Sequence, residues 1–210
     1  MACAASAGPA FEGMSISCGM LAVPGAAHRA RWEDGGFRLE TIGGLAPQGL
    51  CGTGLLDVLA LGVRHGLIEK RGKISGPEKV LRLGDSLSLT QQDVRELQLA
   101  LAAVKSGVRM MLREFKIPAK RLDGVCVAGA FGASLDIGNC RTLGLLSEVP
   151  AERIRFVGNT ALAGARKLLL SAPQRAAAEA LAAKVTHLSL ASRPDFQDEF
   201  VKSLEFAEGE

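Results

Sequence analysis

The chain has 210 residues, 48% of them hydrophobic and 22% charged, with a formal net charge of +3. That length and balance give a globular protein with a sizeable core in one large or two small domains, and exclude an intrinsically disordered chain. Lysine and arginine are dispersed and aromatics make up only 4%, which excludes nucleic acid as a partner, because phosphate tracking needs a basic surface and base reading needs stacking rings.

No apolar run approaches the ~20 residues that span a bilayer. Residues 1–13, MACAASAGPAFEG, have no basic segment followed by an apolar one, so no membrane contact or secretory leader is expected. The five cysteines, Cys3, Cys18, Cys51, Cys126 and Cys140, are far apart and include no C-x-x-C pair. They fit neither a zinc site nor a small disulfide framework, and free thiols in the cytoplasm are expected.

The first third reads as β-rich. Residues 28–33 (HRARWE) and 37–44 (FRLETIGG) flank Asp34-Gly35-Gly36, a hairpin signal. The stretch QGLCGTGLLD at 48–57 then places Gly49, Gly52 and Gly54 before a helix expected over 55–65, with Gly66 where a C′ glycine would end it. It misses the Rossmann fingerprint, which wants a glycine at Asp57, and the Walker loop, because no G-K-[ST] follows. It is either a phosphate-facing loop with Thr53 as hydroxyl donor or a glycine-rich N-cap, and these residues alone favour the second. Residues 79–84 (KVLRLG) alternate as another short strand.

Thr90, followed three residues later by Asp93, makes a capping box for a long helix. Val94, Leu97, Leu101, Val104, Val108, Met111 and Phe115 recur in steps of three and four, giving one apolar face over about six turns until Pro118. Beyond it the pattern becomes α/β. GVCVAG at 124–129 is a short buried strand, with Cys126 read as a packed residue rather than a reactive one. A helix over about 137–143 follows, capped by Asp136. RIRFVGN at 153–159 is a second strand leading into a helix over 160–170. A third helix over 173–185 has Pro173 in its first turn. THLSLA at 186–191 is read as a strand, and 194–204 as a closing helix. No linker divides the chain, so residues 1–210 are expected to form one domain.

Two strands end alike, in GVCVAG-AFG and RIRFVG-NTALAG. Ligands of parallel α/β sheets bind outside the carboxyl ends of strands, and glycine there lets backbone N–H groups approach an anion or a nucleotide. Any strand-to-helix turn also favours glycine, so the junctions alone leave both readings open. Cys51 is read as structural. His28, His65 and His187 lie on separate elements without a nucleophile nearby and are read as surface or packing residues. Glu12 is either ordinary helix-start chemistry or a group beside a metal-bound water or a phosphate.

Five stretches in order carry a resemblance: AGPAFEG at 7–13, GLCGTGLLD at 49–57, LTQQDVRELQLALAAVKSGV at 89–108, VAGAFGASLD at 127–136 and VGNTALAGARKLLLS at 157–171. Together they resemble the C-terminal ATPase portion of the reductive activators of corrinoid proteins. Those are iron–sulfur proteins whose ATPase half belongs to the acetate kinase/sugar kinase/Hsc70/actin superfamily. The resemblance runs to DFQDEFVKSLEF at 195–206. It implies an α/β fold, an RNase H-like lobe with a mixed sheet flanked by helices and a β-rich N-terminal part. On that mapping the chain is most of the second such lobe, without the ferredoxin domain and first lobe.

The resemblance also implies ATP with Mg²⁺, and a two-iron cluster elsewhere in the parent protein that reduces a corrinoid partner from Co(II) to Co(I). Gly129, Ala130, Phe131 and Gly132 resemble the adenosine-facing motif. Gly158 and Asn159 open the segment that lies near the cleft, and Gly52, Thr53 and Gly54 are implied beside the site. No catalytic residue and no metal ligand is assigned. The chain departs from the full family in having no cysteine cluster and neither D-x-G-[ST] phosphate loop, so it is expected to be a fragment that binds adenine nucleotide without completing hydrolysis. Two other readings remain: an interaction module that docks a corrinoid protein or forms a homodimer, and a sugar- or acetate-kinase-like phosphotransferase.

Overall fold

Asp34 and Gly35 both take positive φ, 50° and 79°, as a two-residue type I′ hairpin turn demands. In this computed structural model, which describes residues 1–207 apart from Asp85, Ala130 and Ser147, that turn joins β1 (Ala26–Glu33) to β2 (Gly36–Thr41). The two strands are antiparallel, with Glu33 opposite Gly36. A two-residue strand, β3 (Gly49–Leu50), pairs parallel with the start of β1, giving a mixed sheet of order β2-β1-β3.

The next helix, α1 (Gly52–Arg64), is buried nearly all round. Leu55, Leu56, Val58 and Leu59 join Ala27 and Ala30 of β1 in the hydrophobic core, the placement expected of a helix that is apolar on every side. It begins three residues before the expected start, because Cys51 is extended and acts as N-cap. Its other end follows expectation: Gly66 stands just past it at φ 69°.

A small antiparallel pair, β4 (Val80–Arg82) and β5 (Ser88–Thr90), leads into α2 (Gln91–Phe115). Both halves of the capping box are present at Thr90 and Asp93. Val94, Leu97 and Leu101 are completely buried. The second half of the same stripe is not: Val104, Val108 and Met111 are half-buried, and Phe115 is 52% exposed. The expected apolar face is real, but only its N-terminal half is covered.

Two parallel strands follow, β6 (Val125–Val127) and β7 (Ile154–Phe156), with α3 (Ile137–Thr142) between them in sequence. The Asp136 side chain caps α3 by accepting from the Asn139 backbone N–H at 2.8 Å, as expected. Cys126 is exposed, correcting the buried reading. Its neighbours in sequence are apolar, but β6 belongs to a two-stranded sheet and no third layer covers that side of it among the described residues. After β7 come α4 (Thr160–Leu170) and α5 (Ala172–Ala182), the latter with proline in its first turn. Residues 186–191, expected as a strand, contribute a single bridge from His187 to Ala2. The closing helix, α6 (Phe196–Lys202), packs on α2. There Arg109 donates to Ser203 Oγ at 3.0 Å and Arg113 to Asp195 at 3.1 Å.

Two buried polar groups hold the layers together. Asp57 of α1 accepts from the Asn139 side-chain amide of α3 at 2.7 Å and from the Ala30 backbone N–H of β1 at 3.1 Å. Burial raises its carboxyl above the usual value, while these bonds and nearby Arg29 pull the other way. Lys105 of α2 donates to the Leu143 and Glu205 carbonyl oxygens at 3.2 and 2.8 Å. Burial, with a further push from Arg109, lowers Lys105 from 10.5 to about 8.

Between pH 8 and 10.5 the unfolded chain therefore keeps a proton that the folded protein has released. This group's contribution to stability rises with pH across that window. Urea titrations of wild type and Lys105→Met are expected to show their stability difference shifting toward the wild type by roughly 3 kcal/mol over it. A difference that stays flat would show that Lys105 titrates normally. No described helix is long and apolar enough to cross a membrane.

Candidate functional site

The carboxyl ends of β6 and β7 turn side by side. The Gly129 N–H donates to the Gly158 carbonyl at 2.8 Å, so the two strand-end glycines expected to share a site are in direct contact. Both have positive φ, 99° and 69°, a region in which a side chain costs roughly 1–2 kcal/mol. No atom occupies the space where either Cβ would stand. The turns are thus shaped by backbone conformation and not by crowding, which leaves their outer faces open. Asn159 caps α4, its side chain accepting from the Leu162 N–H at 3.0 Å. Ala130 lies outside the described residues.

Gly132 of the same loop is buried, while Phe131 keeps 37% of its surface exposed. The Phe131 ring stacks on Phe11, with centroids 5.5 Å apart and planes 24° apart. Gly132 is buried against Val127, whose Cγ1 would lie 2.8 Å from any added Cβ. Phe131 therefore braces the loop against the short 3-10 turn Ala10–Glu12. Phe11 was not singled out from sequence, although AGPAFEG and VAGAFGAS each set one phenylalanine after alanine within a glycine-rich stretch. That shared signature was the available signal. Glu12 is exposed at the end of its turn.

Gly52, Thr53 and Gly54 form the buried first turn of α1. A Cβ on Gly52 would lie 2.0 Å from the Phe11 carbonyl oxygen and 2.7 Å from Phe131 Cε2. One on Gly54 would lie 2.2 Å from the Ala27 carbonyl oxygen. These glycines let α1 approach β1 and the phenylalanine pair. The Thr53 hydroxyl donates to the His28 carbonyl at 2.8 Å, so it is committed to the sheet. Gly52 packs beside Phe131, while Thr53 and Gly54 belong to the α1–β1 junction. Cys51 is buried as N-cap of this helix.

Among the described residues no three His, Cys, Asp or Glu side chains gather where they could hold a metal ion.

The α/β fold, with its mixed sheet and flanking helices, is that of an ASKHA domain, as the family model and the structural match show. It belongs to the family described as the C-terminal domain of RACo, the ASKHA domain, whose model matches residues 1–210. The corrinoid activation enzyme RamQ of Eubacterium limosum is 32% identical over 227 residues, covering 96% of this chain and 38% of that protein. The Co(II) methylated amine-specific corrinoid protein reductase of Methanosarcina barkeri is 30% identical over 226 residues, covering 96% of this chain and 41% of that protein. A solved structure of a reductive activator for corrinoid, iron-sulfur protein superposes with a TM-score of 0.82 at 37% identity, covering 97% of this chain and 36% of that one. The chain thus spans about two fifths of the length of the relatives it matches.

Proposed function

We propose that this chain is the nucleotide-side lobe of a cytoplasmic, ATP-dependent reductive activator that returns corrinoid proteins from Co(II) to Co(I). In this reading residues 1–210 form one domain, most of the second lobe of the ATPase. The observation that carries it is the contact between the Gly129 and Gly158 turns at the carboxyl ends of parallel strands, the place where α/β sheets take their ligands. Two open, left-handed glycine turns fit an adenosine moiety lying against the backbone. The residues present do not fit an iron–sulfur cluster: among the described residues no three His, Cys, Asp or Glu side chains gather, and two of the five cysteines are buried. The cluster, the groups facing the γ-phosphate and the Mg²⁺ they position are therefore assigned to the rest of the activator, and the corrinoid protein is its partner.

Calorimetric titration with ATP and Mg²⁺ tests the reading. Saturable binding at millimolar nucleotide with negligible hydrolysis is expected, weakened at least tenfold in Gly129→Val with its circular dichroism unchanged. The substitution forces a β-branched residue into a left-handed backbone and puts its methyls on the open face of the turn. Absence of any saturable heat would remove the nucleotide site from this chain.

A further inference from the structure

β2 is the outer strand of the sheet β2-β1-β3, and among the described residues no strand pairs with its far side. The hairpin decides which backbone groups that side presents. A two-residue turn makes its flanking residues, Glu33 and Gly36, a hydrogen-bonded pair. Pairs of an antiparallel ladder alternate, so Arg31 with Arg38 is bonded as well, and Ala30 with Leu39 is not. The Ala30 N–H indeed points away from β2, donating to Asp57 at 3.1 Å. Gly36, Arg38 and Glu40 therefore bond to β1, while Phe37, Leu39 and Thr41 turn their N–H and C=O groups to the open edge.

An unpaired edge is a template for strand addition, and the charged side chains along it decide what can add. Arg38 and Glu40 stand on the exposed face of β2, with side chains 74% and 58% exposed. Phe37 and Leu39 stand on the other, half-buried against the core. Opposite charges placed on either side of Leu39 are self-complementary under a two-fold rotation. With the axis at Leu39, a second copy running antiparallel sets its Glu40 opposite Arg38 and its Arg38 opposite Glu40. These are the non-bonded positions of the new ladder, where side chains come closest. Leu39 meets Leu39 and Phe37 meets Thr41 at the bonded positions, using the backbone groups that β1 leaves free.

The charges select this register. A slide of two residues puts Arg38 against Arg38 or Glu40 against Glu40, and a slide of one sets a charged face on the apolar side. Arg38 keeps its own Glu33 at 3.3 Å, and Glu40 its own Arg31 at 3.7 Å. Across the junction the charges then run Glu33, Arg38, Glu40, Arg31, with signs alternating.

We propose that the open edge of β2 is a homodimer interface, on which a second copy of this chain pairs antiparallel in the Leu39 register and joins the two three-stranded sheets into one. One edge of six residues is small beside the ~800 Å² per partner of a standard interface, so the dimer is reversible and concentration-dependent. The proposal goes beyond the nucleotide reading and does not depend on it.

Sedimentation equilibrium of the activator that contains this chain, over a concentration series, is the test. Arg38→Glu and Glu40→Arg, each alone, are expected to weaken dimerisation by about tenfold, with circular dichroism unchanged. Mixing the two variants should restore it, because every cross-strand contact is again of opposite sign. The double variant Arg38→Glu/Glu40→Arg should recover it by itself, and it keeps the test open if either single variant fails to fold. Amide exchange at Leu39 should slow as wild-type concentration rises. A monomer at every concentration overturns the proposal, as does a dimer indifferent to these charge reversals. Slow exchange at Leu39 in the monomer also overturns it, because another part of the activator would then hold the edge.

Discussion

Replacing Asp93 with alanine is expected to cost the fold about 4 kcal/mol, the largest loss from any single side chain considered. The carboxylate is 3% exposed and accepts four hydrogen bonds. The Ser17 N–H and hydroxyl reach it at 2.7 and 2.6 Å, and the Thr90 N–H and hydroxyl at 2.8 and 2.7 Å. The bond from the Thr90 N–H is one half of the capping box, whose other half is the Asp93 N–H donating to Thr90 Oγ1 at 3.2 Å, and the box is worth roughly 1 kcal/mol by itself. The two bonds from Ser17 pin the N-terminal segment to the start of α2, across 76 residues of sequence. Alanine leaves these donors unsatisfied at a buried site, and bonds to a charged acceptor are worth about twice neutral ones.

Asp93→Asn keeps one acceptor oxygen and is expected to lose roughly half as much. Burial alone would raise the Asp93 carboxyl, but the bonds from Ser17 and Thr90 outweigh it and hold the group below its ordinary 3.8. Its ionisation therefore supports folding fully above pH 3.8, and that support disappears as pH falls through the lower folded value. Chemical denaturation of wild type and Asp93→Asn at descending pH should show the gap between them closing. A gap independent of pH would mean that the carboxylate's charge contributes nothing.

Gly52→Ala should destabilise by about 3 kcal/mol and disorder the loop that carries Phe131. Two effects of opposite sign compete. Alanine is the better helix former by about 1 kcal/mol, and Gly52 is in a helix. Against that, its methyl would sit 2.0 Å from a backbone oxygen of Phe11 and 2.7 Å from the Phe131 ring. A backbone carbonyl cannot rotate aside as a side chain does, so the clash wins. Gly164 in α4 provides the contrast, because nothing lies within 4 Å of where its Cβ would stand. Gly164→Ala should stabilise by up to about 1 kcal/mol. Thermal denaturation of both variants checks the pair, and similar effects in the two would show that crowding at Gly52 is relieved at no cost. In the nucleotide reading Gly52→Ala also weakens ATP binding, by shifting Phe131 from its stacking partner.

What sequence and structure share is instructive at particular residues. The Asp34-Gly35 turn, the Thr90–Asp93 box, the Asp136 cap and the Gly66 stop are each decided within four positions, by a side chain satisfying a nearby N–H or a backbone needing positive φ. Such chemistry is legible because cause and effect lie in the same short window. The candidate site was partly legible for the same reason: the glycines at 129 and 158 announce left-handed turns, and only the fold brings the Gly129 N–H within 2.8 Å of the Gly158 carbonyl oxygen. Thr53 was read as a possible phosphate donor because a hydroxyl in a glycine loop carries no mark of its partner. The His28 carbonyl that takes it lies 25 residues away.

The sequence by itself determined the alternation of strands and helices, their caps and turns, and the family to which the ordered motifs belong. The tertiary structure alone decided which apolar positions are covered. Leu101 and Phe115 belong to one stripe with one periodicity, yet the first is completely buried and the second is 52% exposed. Cys126 looked like a core residue because both its neighbours are valine, yet it is exposed, on a strand that pairs with β7 alone among the described residues. Periodicity tells a side chain which way to face. Burial depends on what arrives there from elsewhere in the protein, a sum of long-range contacts that no local window contains.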